Sequence, residues 1–445
     1  MWSEMKKFFV GQPLETERMA HERLSKKKAL AIFSSDALSS VAYATEEILI
    51  VLTGVGLTAG ATAWTWPLSL AIVALLWILV ISYRQTISAY PNGGGAYTVC
   101  KENLGDLAGL TAGSALLIDY ILTVAVSIAA GTAAVTSAFP ELLPHKVLIA
   151  NGAIFILMLM NLRGVRESGT VFAIPTYAFV FGMLGMFIWL AFSSVSTHVV
   201  NPTPLMPQKG SGVDLWIILV AFASGCTALT GVEAISNGVP AFKVNKQKNA
   251  RTTLIAMGAL LAILFLGVSY YTHLYNIVPK SDETVVSQLA RHLNNSFFYY
   301  FIQASTALIL FLAANTSFID LPRVASLLAE DRYLPRQLAS RGDRLVFSNG
   351  IIALSLASML LVILFHAEVT LLIPLYAIGV FMCFSLSQAG MVKHWLKYKE
   401  KGWKQSAIIN AIGCATTTTV SLVITITNFP HGGWIICVLI PLFFM

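Results

Sequence analysis

Charged side chains are scarce in this sequence. Only 11% of its 445 residues are Asp, Glu, Lys or Arg, whereas 56% are hydrophobic and the mean hydropathy is +0.72. A soluble domain is about one quarter charged, so this composition excludes a soluble globular protein. Apolar runs of roughly the 20 residues that a membrane-crossing helix needs recur along the whole chain. These runs are continuously apolar rather than alternating, which excludes a β-barrel and predicts an all-α integral membrane protein.

Cysteine is also rare, and its placement excludes two kinds of site. The five cysteines are Cys100, Cys226, Cys383, Cys414 and Cys437. They stand singly, without the spacing of a metal site or a disulfide framework, so we expect free thiols. The basic N-terminal stretch lacks the apolar core of a cleavable signal peptide. The formal net charge of +7 follows from lysines and arginines in the loops, which gives no reason to expect nucleic-acid binding.

The apolar runs predict twelve membrane-spanning helices. We place them at 29–51, 65–82, 108–136, 147–162, 169–193, 214–241, 253–275, 296–318, 347–365, 369–392, 405–427 and 431–445. With a cytoplasmic N-terminus, 25 of the 29 lysines and arginines fall on the cytoplasmic side, and the four outside are Lys146, Lys209, Lys280 and Arg291. This distribution follows the positive-inside rule and places both chain ends in the cytoplasm.

Two segments are too polar to span the membrane. Residues 82–106 and 321–338 contain short amphipathic stretches on the cytoplasmic side, which we interpret as interfacial connectors, the alternative being direct contact with the substrate. The sequence stops within an apolar run at Met445, so we expect a cytoplasmic continuation after it.

Three acidic residues lie deep inside predicted spans. They are Asp36, Asp119 and Glu233, and no lysine or arginine lies at a comparable depth. Ionisable groups in membrane helices usually mark a transport or proton pathway, because their burial needs a compensating partner. Without a basic side chain, that partner is either a bound proton or a cation from solution. Glu46 and Glu47 follow in the outer part of the first span, where we expect them to line a vestibule.

Hydroxyl groups accompany these carboxylates at helical spacing. They are Thr123 and Ser127 after Asp119, Thr230 before Glu233, and Tyr43 after Asp36. Such hard oxygen donors suit alkali or alkaline-earth cations. Thr123 and Ser127 have an alternative role, since hydroxyls in membrane helices often bond within their own helix. Tyr43 is equally compatible with an anchor at the membrane interface.

Two polar interruptions occupy matching places in the chain. "SSDALSS" interrupts the first span and "ASGCTALTGVE" the sixth, at the same place in two five-span halves of opposite orientation. Matching interruptions in inverted halves indicate a transport site near the bilayer midplane. We therefore divide the chain into a cytoplasmic segment 1–28, a first repeat 29–193, a second repeat 194–392, and two further helices in 393–445.

Several motifs resemble those of known transporters. Ser35, Asp36 and Tyr43 resemble the first-span signature of the KUP family of potassium uptake permeases, with Ser35 in place of a glycine. "YPNGGGAY" (90–97) and "GVEAISNGVPAFK" (231–243) resemble motifs of the amino acid–polyamine–organocation superfamily. "SSDALSSVAY", "LIDYILTVAVS" and "TGVEAISN", in that order, are together similar to bacterial high-affinity potassium importers of this family.

The resemblance implies a LeuT-like fold, with a 5+5 inverted repeat, two further helices, and broken first and sixth helices. It also implies a homodimer in the cell membrane that imports potassium with protons and uses no cofactor. The implied potassium ligands are Asp36, Tyr43, Asp119, Thr123, Ser127, Thr230 and Tyr376, with Asp36, Asp119 and Thr230 closest to the ion. Glu233 is the implied proton carrier. Family members sense cyclic di-AMP through a cytoplasmic domain that this sequence does not contain.

Three other functions are weaker interpretations. An amino acid symporter on the same scaffold would bind a substrate carboxylate at the break in the first span, where Asp36 would repel it. An intramembrane protease would use Asp36 and Asp119 as a carboxylate pair, but no GxGD motif accompanies them. A passive channel would need a carbonyl filter such as TVGYG, which the sequence lacks.

Overall fold

The regular structure of the described residues is helical. The computed structural model describes residues 25–54, 61–91, 93, 95–163, 173–197, 214–243, 245–338 and 347–442. Its α-helices are α1 (Lys26–Phe33), α2 (Ser35–Ser39), α3 (Ala44–Gly54), α4 (Ala61–Ala89), α5 (Gly95–Leu104), α6 (Asp106–Ala138), α7 (Lys146–Leu162), α8 (Ala173–Thr197), α9 (Leu215–Gly225), α10 (Ala234–Asn237), α11 (Lys246–Leu274), α12 (Val285–Arg291), α13 (Ser296–Glu330), α14 (Ser348–Leu364), α15 (Val369–Tyr398), α16 (Trp403–Asn428) and α17 (Gly433–Leu442). Most of the predicted N-terminal segment 1–28 lies outside the described residues.

The helices form a multi-pass membrane bundle. Ten helical segments of the described chain are long and apolar enough to cross a bilayer. α14, with 17 residues, and α17, with 10, are apolar but shorter. All five cysteines are free thiols, as predicted.

The centre of the bundle is α6. In its most apolar stretch 94% of the residues are buried, against 11% for the segment Pro140–Leu162, which therefore lies at the periphery. α6 packs against α13, α15 and α5. α2 packs on α13, and α3 packs on α9, so the two interrupted segments of the sequence lie inside the same bundle.

α13 is longer than the sequence predicts. The predicted span 296–318 and the predicted connector 321–338 are wrong at their boundary, because one helix continues through Pro322 to Glu330. The added turns bury apolar side chains, which are Leu321, Val324, Ala325 and Leu328. This packing stabilises the helix beyond the proline, which would otherwise favour an end there. The extension also buries Asp320 inside the bundle.

A polar contact joins α5 to the turn that follows α13. The Tyr97 hydroxyl and the Lys101 ammonium both donate hydrogen bonds to the Asp331 carboxylate, and the Lys101 Nζ to Asp331 Oδ2 distance is 2.6 Å. The hydrogen bond from Lys101, followed by that from Tyr97, lowers the pKa of Asp331. The Lys101 and Asp331 side chains are about one third exposed (33% and 34%), so solvent weakens this ion pair.

We expect Lys101→Met to lower the free energy of unfolding at pH 7 by about 1 kcal/mol, as for other partly exposed ion pairs. Because folding lowers the pKa of Asp331, the native protein loses this contribution as the pH falls below about 4 and through the folded value. The free energies of unfolding of Lys101→Met and the native protein should therefore become equal in acid. Denaturant unfolding in nanodiscs, followed by tryptophan fluorescence, measures the difference, with Lys393→Met at an exposed site on α15 as control. Equal stability of Lys101→Met and native protein at pH 7 would contradict this interpretation.

Candidate cation site

The first span is interrupted where the sequence places its serines. α2 is followed by a 3₁₀ turn, Ser40–Ala42, before α3 begins. The Ser39 hydroxyl donates to the Asp36 carbonyl at 2.7 Å, and the Ser40 hydroxyl lies 2.6 Å from the Ala37 carbonyl. Serine side chains that bond to nearby carbonyls compete with the helical pattern, which favours a break here.

The second interrupted segment is unwound. α9 leads into a 3₁₀ turn, Cys226–Leu229, and then into an extended residue, Thr230. Gly231 follows with φ +79°, and α10 begins after Glu233. The prediction that Thr230 and Glu233 lie one turn apart on a helix is wrong, because the backbone between them is not helical. The reason is local, since glycine adopts the left-handed region without a steric penalty.

The two interruptions touch each other. A Cβ atom on Gly231 would lie 2.7 Å from the Ala37 backbone nitrogen and 2.8 Å from the Asp36 carboxylate. On the other side, the Ser40 hydroxyl lies 3.0 Å from the Ala228 carbonyl. Glycine at position 231 is therefore required twice, by its backbone angle and by its contact with the first interruption.

α6 presents a polar stripe to this junction. Asp119, Thr123 and Ser127 are each 2% exposed. The Thr123 hydroxyl donates to the Asp119 carbonyl at 2.9 Å, which is the local bond that the sequence analysis left open. That bond uses the hydroxyl proton, and the oxygen remains an acceptor. Asp119 is close enough to Asp36 and Glu233 to interact electrostatically with both.

Two buried tyrosines complete the cluster. The Tyr43 hydroxyl lies within hydrogen-bonding reach of Thr230. Tyr376, on α15, is 1% exposed and lies close to Asp36, Asp119 and Tyr43. The structure therefore brings together the predicted site residues, except that Ser127 lies two turns beyond Asp119 on the same buried stripe of α6. Their roles in binding stay predictions.

The cluster lacks compensating positive charge. In the part of the chain that the structure describes, no lysine or arginine forms an ion pair with Asp36, Asp119 or Glu233. Asp119 Oδ1 and Glu233 Oε2 are buried and have no hydrogen-bond partner there. Buried, unpaired carboxylates are costly, and several oxygen acceptors around one point suit a bound cation or proton.

Asp320 is a fourth carboxylate close to this cluster, and it is absent from the predicted site residues. It is 6% exposed on α13 and interacts electrostatically with Asp36 and Glu233. Its nearest basic group is Arg323, whose Nη1 lies 3.7 Å from Asp320 Oδ1. The predicted span 296–318 ends before Asp320, since the segment that follows it and contains Pro322 is too polar to cross a membrane. The apolar residues that continue at helical spacing after the proline were the signal that would have found it.

A cavity of about 520 Å³ leads from one end of the bundle to Tyr43. We call it the vestibule, and we call the end at which it opens the vestibule end. Glu46 and Glu47 line it, as the sequence analysis expects.

Comparison with known proteins agrees with this arrangement. The family model described as "Amino acid permease" matches residues 24–443. The chain belongs to this permease family. The permease is 48% identical to the potassium transporter KimA of Bacillus subtilis (strain 168), over 99% of its own length and 73% of the length of KimA. It is 22% identical to the low-affinity putrescine importer PlaP of Escherichia coli (strain K12), over 49% of this chain and 48% of PlaP. Membership of a permease family confirms the prediction of a transporter rather than an enzyme.

We expect Gly231→Ala to weaken cation binding by at least about tenfold. A Cβ atom would displace the Asp36 carboxylate, and a left-handed backbone costs a non-glycine residue about 1–2 kcal/mol. Binding is measured as the rise in unfolding temperature of the purified permease with increasing rubidium chloride, against choline chloride at equal ionic strength.

Gly152→Ala is the matched control, since a Cβ atom there meets nothing within 4 Å. Native rubidium binding in Gly231→Ala would show that the contact between the two interruptions does not shape the site.

Proposed function

We propose that this permease imports potassium ions in symport with protons. The observation that carries the proposal is the pair of buried carboxylates, Asp36 and Asp119, at the junction of two interrupted helices and without a basic partner among the described residues. The 48% identity to a protein named as a potassium transporter supports potassium as the cation.

The proposed architecture is the LeuT-like fold, with twelve spans in a 5+5 inverted repeat plus two helices. α14 and α17 would be the ninth and twelfth spans, although they are short. The helix breaks support the inverted repeat, since they fall in the first and sixth spans and face each other. We further propose, from the family resemblance, that the permease forms a homodimer in the cell membrane.

The vestibule end is proposed to face the outside of the cell. Its basic residues within the described ranges are few, namely Lys146, Lys280 and Arg291. Within the described ranges, the opposite end carries more lysines and arginines, including those of "KVNKQKNAR" at the start of α11. This asymmetry supports a cytoplasmic N-terminus by the positive-inside rule.

In the proposed ion site, the Asp36 and Asp119 carboxylates bind the potassium ion together with hydroxyl oxygens. Thr123 and Thr230 donate their protons to backbone carbonyls at 2.9 and 2.8 Å, so each oxygen keeps lone pairs for a cation. Ser127 lies on the same stripe. Tyr43 and Tyr376 would separate the ion from the vestibule. The carboxylates replace the hydration shell that the ion loses on leaving water.

Glu233 is proposed as the proton carrier. Its carboxylate lies within hydrogen-bonding reach of the Gly231 backbone N–H, while Oε2 is buried and has no hydrogen-bond partner among the described residues. Asp36 and Asp119 lie close enough for a proton on Glu233 to affect how strongly they hold a cation. Each positive charge that moves inward gains about 2.3 kcal/mol per 100 mV of membrane potential, so a proton adds to the driving force on potassium.

We expect Asp119→Asn to abolish uptake, because it removes one of the two charges that replace the hydration shell. The assay is rubidium-86 uptake into proteoliposomes with an acidic exterior and an interior-negative potential. The unfolding temperature of the purified variant shows whether it is folded.

Glu102→Gln, at an exposed position on α5, is the control and should transport as the native protein does. Uptake at native affinity by a folded Asp119→Asn variant would refute the assignment of the ion site.

For Glu233→Gln we expect uptake that no longer depends on the pH gradient. The native permease should take up rubidium faster when the exterior is more acidic than the interior, because protons then move inward with it. A glutamine cannot carry the proton but preserves the shape of the site. Rubidium exchange across the membrane should therefore persist in the variant. The rate is measured with and without a pH gradient at a fixed membrane potential, and an unchanged gradient effect would exclude Glu233 as the carrier.

A further inference from the structure

In the outer part of the vestibule, which we call its rim, two carboxylates are paired with basic side chains, whereas Asp282 has no ion pair among the described residues. Glu368 accepts a hydrogen bond from the Lys146 ammonium. Glu283 pairs with Arg291 and also lies 3.9 Å from Lys280. The basic side chains of this rim therefore have acidic partners within the rim itself.

Glu46 and Glu47 differ from the rim carboxylates. Glu46 accepts a backbone hydrogen bond from Val285 at 3.2 Å. Glu47 is 4% exposed and lies within hydrogen-bonding reach of the Thr370 hydroxyl. Within the described ranges, neither carboxylate forms an ion pair with a lysine or an arginine. The inner part of the vestibule therefore carries uncompensated negative charge.

A second observation at the same place indicates a ligand. Thr306 lines the vestibule from α13, is 2% exposed, and its hydroxyl has no hydrogen-bond partner among the described residues. A threonine inside a helix usually donates to a carbonyl one turn earlier. Thr132 does so in the same cavity, with its hydroxyl 2.8 Å from the Ile128 carbonyl. The Thr306 hydroxyl is therefore a buried oxygen that lacks the bond its neighbour makes.

Tyr43 lies between the vestibule and the ion site. It lines the vestibule, and it interacts electrostatically with Glu47 as well as with Asp36 and Asp119. Its hydroxyl is within reach of Thr230, at the junction of the two interruptions. A cation at Glu47 would therefore lie on the vestibule side of Tyr43, with the ion site on the other side of this ring.

We propose that Glu47, Thr306 and Tyr43 form a second alkali-cation site, in which an ion waits on the vestibule side before it enters the ion site. The proposal rests on the proposed function, since it assigns the same cation to both sites. Consecutive residues on a helix point in different directions, so Glu46 and Glu47 do not share one ligand. A single carboxylate with neutral oxygens matches a monovalent ion better than a divalent one. The waiting site raises the local cation concentration next to Tyr43.

Rubidium-86 binding to the permease in nanodiscs tests the waiting site separately from the ion site. The proteins are native, Asp119→Asn, Glu47→Gln and the double variant. We expect Asp119→Asn to retain one saturable, weaker component, and the double variant to lose it. Thr306→Val in the Asp119→Asn background should weaken that component about threefold or more. If Asp119→Asn retains no saturable binding, or if Glu47→Gln leaves the weaker component unchanged, the waiting site does not exist.

A transport measurement adds a second criterion. Glu47→Gln should raise the KM for external rubidium about tenfold and leave the maximal rate within about twofold of native. Glu368→Gln is the matched control, because it removes the same charge from the same cavity at a carboxylate that is already paired with Lys146. We expect its KM to stay within about twofold of native. An equal rise in both variants would assign the effect to the general field of the vestibule and overturn the waiting site.

These measurements also distinguish failure of this inference from failure of the proposed function. Native transport by Asp119→Asn would refute the ion site, whatever Glu47→Gln does. Loss of transport in Asp119→Asn, combined with unchanged binding and KM in Glu47→Gln, would refute only the waiting site. Unfolding temperatures within about 3 °C of native establish that each variant is folded.

Discussion

Buried negative charge without nearby basic side chains is the constraint on which this structure depends. Asp36, Asp119 and Glu233 are each less than one tenth exposed, and no ion pair within the described ranges neutralises them. Removing a carboxylate from water costs several kcal/mol unless another group compensates for it. The bundle therefore requires a proton or a cation for part of its transport cycle. The interrupted helices place backbone and hydroxyl oxygens close to these carboxylates, where they suit the proposed cation.

The sequence was sufficient to find the acidic residues but not their spatial arrangement. Asp36, Asp119 and Glu233 were detected because a charge inside an apolar run is conspicuous. Asp320 was missed because the polar stretch 321–338 predicts an interfacial connector, whereas tertiary packing extends α13 past Pro322. The helical spacing of Thr230 and Glu233 was also misjudged, because the left-handed backbone at position 231 depends on a contact with the first span. No periodicity in a single sequence reports such a contact between distant residues.

The first and second interruptions depend on different residue types. In the first, serine hydroxyls bond to carbonyls of the preceding turn and replace helical hydrogen bonds. In the second, Gly231 provides both the angle and the space that the backbone needs. The serines and Gly231 lie within the interrupted stretches themselves. For this reason the sequence indicates both interruptions as polar stretches of small residues. Because the two interruptions meet at Asp36, both determine the surroundings of its carboxylate.

α13 is long enough to reach from one face of the membrane to the other. Its 35 residues form one continuous helix that is about 50 Å long. Thr306 lies on the vestibule-end half of this rod, Asp320 lies beside the carboxylate cluster, and Asp331 follows its last turn and contacts α5. A rigid rod transmits a tilt at one end as an opposite displacement at the other. A tilt of α13 that widened the vestibule end would therefore displace Asp331 and its contact with α5 in the opposite direction.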